Sequence, residues 1–204
     1  MRNNIYYLVA TLVLNGSSYA GGDVVPIEEP VTIVSEKNGF YLGLGYSDMA
    51  LHNDLTNEEF SASSVMLQAG YQYNHYVAIE GRYTLDIGDV QYDRGLTLNP
   101  NDHNYPTDFS NAAIFLKPMY PLGNFSIYAL LGYGEVELTN IPRGDVDRAE
   151  DGFQWGLGTN YAFNDTLSGF IDYVRMYDDK GFDYRAMDAN NVADAWTLGV
   201  SYNF

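Results

Sequence analysis

The sequence contains no cysteine, so disulfides, thiolate metal sites, thiol catalysis and a lipid-bearing N-terminal Cys are all excluded. Bases are scarce: 10 Lys and Arg stand against 27 Asp and Glu, a formal charge of -17 over 204 residues. That balance excludes a nucleic-acid partner, because phosphate recognition needs clustered Lys and Arg to displace counterions. Long apolar runs are missing too. The longest, Ile5 to Leu14, is about half of the ~20 residues a membrane-crossing helix requires. What is present is apolar and aromatic: 46% of residues are hydrophobic, with 20 Gly, 19 Tyr, 10 Phe and 2 Trp. This is too apolar for a disordered acidic chain, and the glycine and aromatic load favours strands over helices.

The N-terminus reads as a targeting signal. Arg2 precedes the apolar stretch Ile5–Leu14, and Ser18-Tyr19-Ala20 places small residues where a signal peptidase reads them. Residues 1–20 are expected to be a cleavable signal peptide. Residues 21–38, GGDVVPIEEPVTIVSEKN, hold two prolines and no sustained period, as in a flexible leader.

From Gly39 onward the pattern alternates with period two. Phe40, Leu42, Leu44 and Tyr46 oppose Tyr41, Gly43 and Gly45; Val65, Leu67, Ala69, Tyr71 and Tyr73 oppose Met66, Gln68, Gly70 and Gln72. Six further segments repeat this, ending in Trp196, Leu198, Val200, Tyr202 and Phe204. Three connections are tight, at Asn74-His75, Pro121–Asn124 and Asn164–Thr166; four are long, at about 48–60, 86–108, 138–150 and 178–193. An even strand count with short turns at one end and long loops at the other predicts an all-β, eight-stranded antiparallel up-and-down transmembrane β-barrel over 39–204.

Alternation does not by itself say which face is outside, and a soluble lipocalin-like barrel would turn its apolar face inward. Three features favour the membrane arrangement. The polar face is Gly, Ser, Ala and Gln with few charges, unlike a solvated face. The apolar face carries two aromatic rings: Tyr73, Tyr120, Phe125, Phe163, Tyr202 and Phe204 beside the short turns, and Tyr46, Tyr83, Tyr133, Trp155, Tyr173 and Trp196 towards the long loops. The chain also carries an export signal and ends on an aromatic strand.

On these residues the segment 39–204 resembles the small eight-stranded outer-membrane barrels of the OmpA/OmpX type in Gram-negative bacteria. The run Tyr76-Val77-Ala78-Ile79-Glu80-Gly81-Arg82-Tyr83 and the terminal Trp196-Thr197-Leu198-Gly199-Val200-Ser201-Tyr202-Asn203-Phe204 carry the likeness. The resemblance implies a monomer in the outer membrane, in contact with its lipids and lipopolysaccharide. It also implies that the C-terminal strand, with Trp196, Tyr202 and Phe204, is read by the barrel-assembly machinery. No peptidoglycan-binding domain follows Phe204, so the plan is closer to the single-domain members.

Strand parity puts Glu80, Arg82, Lys117 and Asp172 on the inner face. Buried charges need partners, and two acids with two bases predict an internal salt-bridge network. Eight strands leave an interior just wide enough for side chains, so the network is expected to plug the lumen; in OmpA-type barrels similar clusters are suggested to gate a narrow passage. Pro118 cannot donate to a ladder, so its strand is expected to bulge or end there. Arg175 shares parity with Tyr173; outward snorkelling and an inward turn through a bulge both remain open.

The acids concentrate in the long loops and their strand tips, among them Asp48, Asp54, Glu58, Glu59, Asp86, Asp89, Asp108, Glu135, Glu137, Asp145, Asp147, Glu150, Asp151, Asp178, Asp179 and Asp194. A mobile, solvated acidic surface is expected, with cationic or host-surface ligands as partners and divalent cations as a sharper option. The stretch Asp145–Asp151 lacks the mid-loop glycine of an EF-hand, so no metal site is assigned. Arg143-Gly144-Asp145 looks like the integrin-recognition tripeptide, although Pro142 and Gly144 are also plain turn signals. His52, His75 and His103 are the only histidines, and none lies with a Ser on a strand as lipid-modifying barrels require. The expected role is therefore envelope structure, surface interaction or adhesion, without cofactor or catalysis. A narrow porin-like channel comes second and a lipid-modifying enzyme third.

Overall fold

The computed structural model describes residues 38–54, 59–88, 90–93, 103–105, 108–139, 148–179 and 190–204. The signal-peptide and leader assignments, residues 1–37, fall outside the described residues. Among the described residues there are ten strands: β1 (Gly39–Asn53), β2 (Glu59–Asn74), β3 (Val77–Asp86), β4 (Val90–Asp93), β5 (His103–Tyr105), β6 (Asp108–Leu122), β7 (Phe125–Thr139), β8 (Arg148–Ala162), β9 (Leu167–Asp179) and β10 (Asn191–Asn203).

Eight of them form a closed antiparallel barrel. Each pairs with its neighbour in sequence, and β10 returns to β1 from Tyr41↔Asn203 to Asn53↔Asn191. Closure leaves no barrel strand as a long bare edge, which lipid would penalise. The tight turns are made by side chains that mimic the backbone. Asn74 Oδ1 accepts from the N–H of Tyr76 (2.8 Å) and Val77 (2.9 Å), and Asn164 Oδ1 from Thr166 (2.9 Å) and Leu167 (2.8 Å). Gly123, at φ 69°, turns β6 into β7.

The connection at 86–108, expected to be loop throughout, instead contributes β4 and β5. Strand β4 pairs with the free upper end of β2 (Ser61↔Gln91), and β5 pairs with β4. The other long connections are shorter than expected, because β1, β2, β7, β8, β9 and β10 continue well past the outer aromatic ring. Asp48, Glu59, Asp108, Glu135, Glu137, Glu150, Asp151, Asp178, Asp179 and Asp194 accordingly sit on strands rather than in loops.

Those extensions follow an inverted pattern. Along the lower part of β1, Phe40, Leu42, Leu44 and Tyr46 are exposed, while Tyr41 and Ser47 are buried. One turn of the pleat higher, Asp48 is exposed while Met49 and Leu51 are buried. Strand β7 does the same: Ile127, Leu131 and Tyr133 face out below, and above them Glu135 faces out over buried Val136 and Leu138. The lower wall is thus apolar outside, as lipid demands; the upper wall is polar outside and apolar inside, as water demands.

Pro118 neither ends β6 nor shifts it. The β6–β7 ladder omits Lys117 and Pro118 and resumes in the same register, Leu116↔Leu131 before and Met119↔Tyr128 after. Arg175 faces outward. The register shift comes just above it: Arg175 pairs with Asp194 and Tyr177 with Ala193, leaving Met176 as the extra residue.

Candidate functional site

Strand β3 places Glu80 and Arg82 two residues apart, hence on one face. Strand order sets β9 four strands from β3 in either direction round the barrel, so Asp172 lies on the opposite wall. Arg82 bridges this diameter. Its Nη1 and Nη2 donate to the two oxygens of Asp172 at 3.0 and 2.7 Å, and its Nε donates to Glu80 Oε1 at 2.6 Å. The other Glu80 oxygen accepts from Lys117 Nζ (2.8 Å) on β6 and from the Tyr41 hydroxyl (2.5 Å) on β1. Tyr128 on β7 donates to Asp172 Oδ2 at 2.7 Å. Lys117 Nζ also lies 4.2 Å from the centre of the Tyr128 ring, a cation–π contact.

The four charges sum to zero and are all buried, Glu80 at 0% and Asp172 at 1% exposure. Taking such ions out of water costs several kcal/mol each, and only this density of charge-assisted bonds compensates. Two glycines make room for the tyrosines. Gly70 stands directly opposite Tyr41, whose ring would collide with any Cβ there. Gly158 stands opposite Tyr128, and a Cβ there would come within 2.5 Å of the ring and of the Asp172 Cβ. Glycine in a strand is costly unless a side chain packs across it; here the aromatic residues do so.

Other buried polar side chains of the interior pair with one another. Asn111 and Gln154 exchange amide bonds (2.7 and 3.3 Å), and Ser47 pairs with Thr197 and Ser168 with Ser201, both at 2.9 Å. Gln68 Oε1 alone, among the described residues, is a buried side-chain polar atom without a partner. At the long-connection end, Met49, Phe109, Val136, Leu138, Met176 and Ala193 belong to a single apolar cluster, each at 2% exposure or less. Val90 of β4 joins it, so the added strand contributes to that core.

Of the residues singled out in the sequence, Glu80, Arg82, Lys117 and Asp172 come together in this one cluster. Trp196, Tyr202 and Phe204 are exposed on the outer wall. Trp196 packs against Tyr173 (5.3 Å between ring centres), which meets Trp155 at 6.0 Å, a continuous stretch of the outer aromatic ring. Just above it, Arg175 donates to the Tyr173 hydroxyl (3.0 Å) and to Asp178 (2.9 Å). The tripeptide Arg143-Gly144-Asp145 lies outside the described residues, as do the first three residues of the Asp145–Asp151 stretch; its last four begin β8. His52 lies 3.9 Å from Asp54 and from Glu59. Two members of the cluster were not picked out from sequence: Tyr41 and Tyr128. Their signal was available, since parity places both on the glycine-rich inner face, where an aromatic residue with a hydroxyl needs a polar partner.

A family model described as the outer membrane protein beta-barrel domain matches residues 9–204. No curated protein sequence matches the chain. Among solved structures, the chain is similar to Ail, the attachment invasion locus protein of Yersinia pestis, at 17% identity and TM-score 0.52, covering 81% of this chain and 99% of Ail. It is also similar to OprG of Pseudomonas aeruginosa (13% identity, TM-score 0.52, 81% and 96% coverage) and to Neisserial surface protein A (19%, 0.51, 81% and 97%). At these identities the likeness is one of fold.

Proposed function

The chain belongs to the outer membrane protein beta-barrel family and resides in the outer membrane of a Gram-negative bacterium, and from that premise we propose that it is a surface-interaction barrel acting in adhesion and envelope structure. One observation carries this reading. The strands continue beyond the outer aromatic ring as a water-facing barrel filled by apolar side chains that are continuous with those of the barrel below. For a pore such an extension only lengthens the passage with apolar lining, whereas a binding protein gains a rigid stalk that presents polar residues to water above the aromatic ring. The stalk is acidic, with Asp48, Glu135, Asp151 and Asp178 all exposed on it, so its partners are cationic or bridged by cations. The name of Ail, an attachment protein, and its structure with a heparin analogue are in keeping with a surface role for this fold. The protein works as a monomer among outer-membrane lipids and lipopolysaccharide, is inserted by the barrel-assembly machinery through its C-terminal strand, and is not an enzyme.

A deletion strain complemented with wild-type protein, or with versions lacking 140–147 or 180–189, tests this. Loss of binding to host cells or to a cationic surface, with the barrel still assembled, is the expected result; full binding by both truncations refutes it. A second reading, a narrow ion passage, draws on Glu80, which is shared between Arg82 and Lys117 and so has an alternative partner ready if Arg82 withdraws. Planar-bilayer recording separates the two readings.

A further inference from the structure

We infer that the outer rim carries a site for the sugar headgroup of a glycolipid, set between β1, β2 and β4. Asp48, Ser61, Ser63 and Gln91 line a cleft of about 160 Å³, whose walls include Ala62, Ile87 and Gly88. Register assembles it: Asp48 lies opposite Ser63, and Ser61 opposite Gln91. All four point outward, because their sequence neighbours Ser47, Met49, Ala62, Ser64 and Val90 are buried. The two serines are small, so the carboxylate and the amide stand over a low floor.

Among the described residues, most of the hydrogen-bonding capacity in the cleft is unused. Asp48, Ser61 and Gln91 make no side-chain hydrogen bond or ion pair among the described residues. Ser63 Oγ accepts from the Tyr46 hydroxyl at 2.7 Å, which leaves its own proton to donate. The cleft thus offers a carboxylate acceptor, two hydroxyls and an amide. That set matches the adjacent hydroxyls of a sugar ring: the carboxylate accepts from two of them, and the serines and amide serve the oxygens beside them. Among the described residues no Lys or Arg lines the cleft, so a phosphate or sulfate there would face Asp48 without a counter-charge from them. At ~30 Å³ per water in the liquid, the volume equals about five waters, the scale of a single ring and too small for an acyl chain.

Position selects a membrane-borne sugar over a soluble glycan. Tyr46 lies below the floor and Trp196 lies directly across from Asp48 on β10. Both are exposed members of the outer aromatic ring, and such rings sit at headgroup level. A sugar held there keeps its acyl chains alongside the apolar wall.

The full chain, released from detergent micelles into native mass spectrometry, gives the test. The probes are a monoglucosyl diacylglycerol and the phosphatidic acid with matched chains. Wild-type protein is expected to retain one glucosyl lipid, and Asp48→Ala and Ser63→Ala are each expected to lower retention about ten-fold, the loss of one good charge-assisted contact. Phosphatidic acid is expected to be retained weakly and equally by all three. Both substituted residues are exposed, and heat-modifiable gel migration verifies that the variants are folded. Equal retention of the glucosyl lipid by wild type and both variants overturns the site. Retention of phosphatidic acid as strong as that of the glucosyl lipid overturns the choice of sugar. Displacement of the lipid by methyl glucoside at matched concentration overturns the membrane-borne source in favour of a soluble glycan.

Discussion

Replacing Arg82 with Met removes a side chain that spans the lumen. Three charge-assisted hydrogen bonds go with it, at 2.6, 2.7 and 3.0 Å. Asp172, at 1% exposure, then keeps only the Tyr128 hydroxyl, and the cluster holds two carboxylates against one ammonium. Removing one partner from a buried ion pair costs ~3–5 kcal/mol, because the other charge stays buried and unpaired. The double variant Arg82→Met/Asp172→Asn separates that effect from lost packing. It retains the Glu80–Lys117 pair, is neutral again, and lets Tyr128 donate to the new amide oxygen. It should therefore be more stable than Arg82→Met alone by ~1–3 kcal/mol, a coupling characteristic of contacting residues. Equilibrium urea unfolding from lipid vesicles provides the assay. Trp155 and Trp196, the only tryptophans, both lie on the lipid-facing wall and report insertion directly. A single variant within ~0.5 kcal/mol of wild type, or a double variant no more stable than Arg82→Met, would refute the claim that the cluster is held by mutual compensation of charge.

Gly158→Ala should destabilise by ~1–3 kcal/mol through collision with Tyr128 and Asp172, whereas Gly152→Ala, with nothing within 4 Å of its Cβ, should stay within ~0.5 kcal/mol of wild type; matched urea titrations compare them. Phe109→Ala should cost ~3–5 kcal/mol by opening a cavity in the upper core, and hydrogen exchange should show the added mobility in the upper halves of β6 and β7 while the lower barrel stays protected. Arg175→Ala should cost at most ~1 kcal/mol in the same titration, since its bond to Asp178 is at the exposed rim. Wild-type protein in a planar bilayer should show no steady conductance; stable open events would mean that the side chains filling the interior leave a path.

The lower barrel was legible because lipid and lumen impose opposite demands on alternate residues, and Leu42/Gly43, Leu67/Gln68 and Leu198/Gly199 obey them without exception. The same parity located Glu80, Arg82, Lys117 and Asp172 on one interior, although it could not say that Arg82 reaches across to Asp172. That depends on β3 and β9 facing each other at the right height, a consequence of closure and stagger rather than of either strand's sequence. Arg175 was ambiguous for a local reason: the bulge that reverses parity falls at Met176, one residue after it, so both alternatives fitted the sequence. Strands β4 and β5 were not legible at all. Each is too short to show a period, and β4 pairs with the part of β2 that β3 does not reach.

The upper barrel was misread for a more instructive reason. Period-two alternation was present there, in Asp48-Met49-Ala50-Leu51 and in Glu135-Val136-Glu137-Leu138, but with acids at the positions that hold lipid-facing hydrophobes lower down. A reader expecting one apolar face per strand sees that face end and infers a loop. The strand has not ended; the solvent outside it has changed. At Tyr46 and Tyr133 the wall leaves lipid for water, and the apolar residues move from the outer face to the inner one. The acidic charge follows from this change. Acids cannot stand on the lipid-facing wall, and the lumen admits only those that Arg82 and Lys117 neutralise. The outer face of the upper barrel is where strand-borne acids find water. The excess of carboxylates is thus fixed in part on a rigid framework just above the membrane, at a height set by the aromatic ring beneath it.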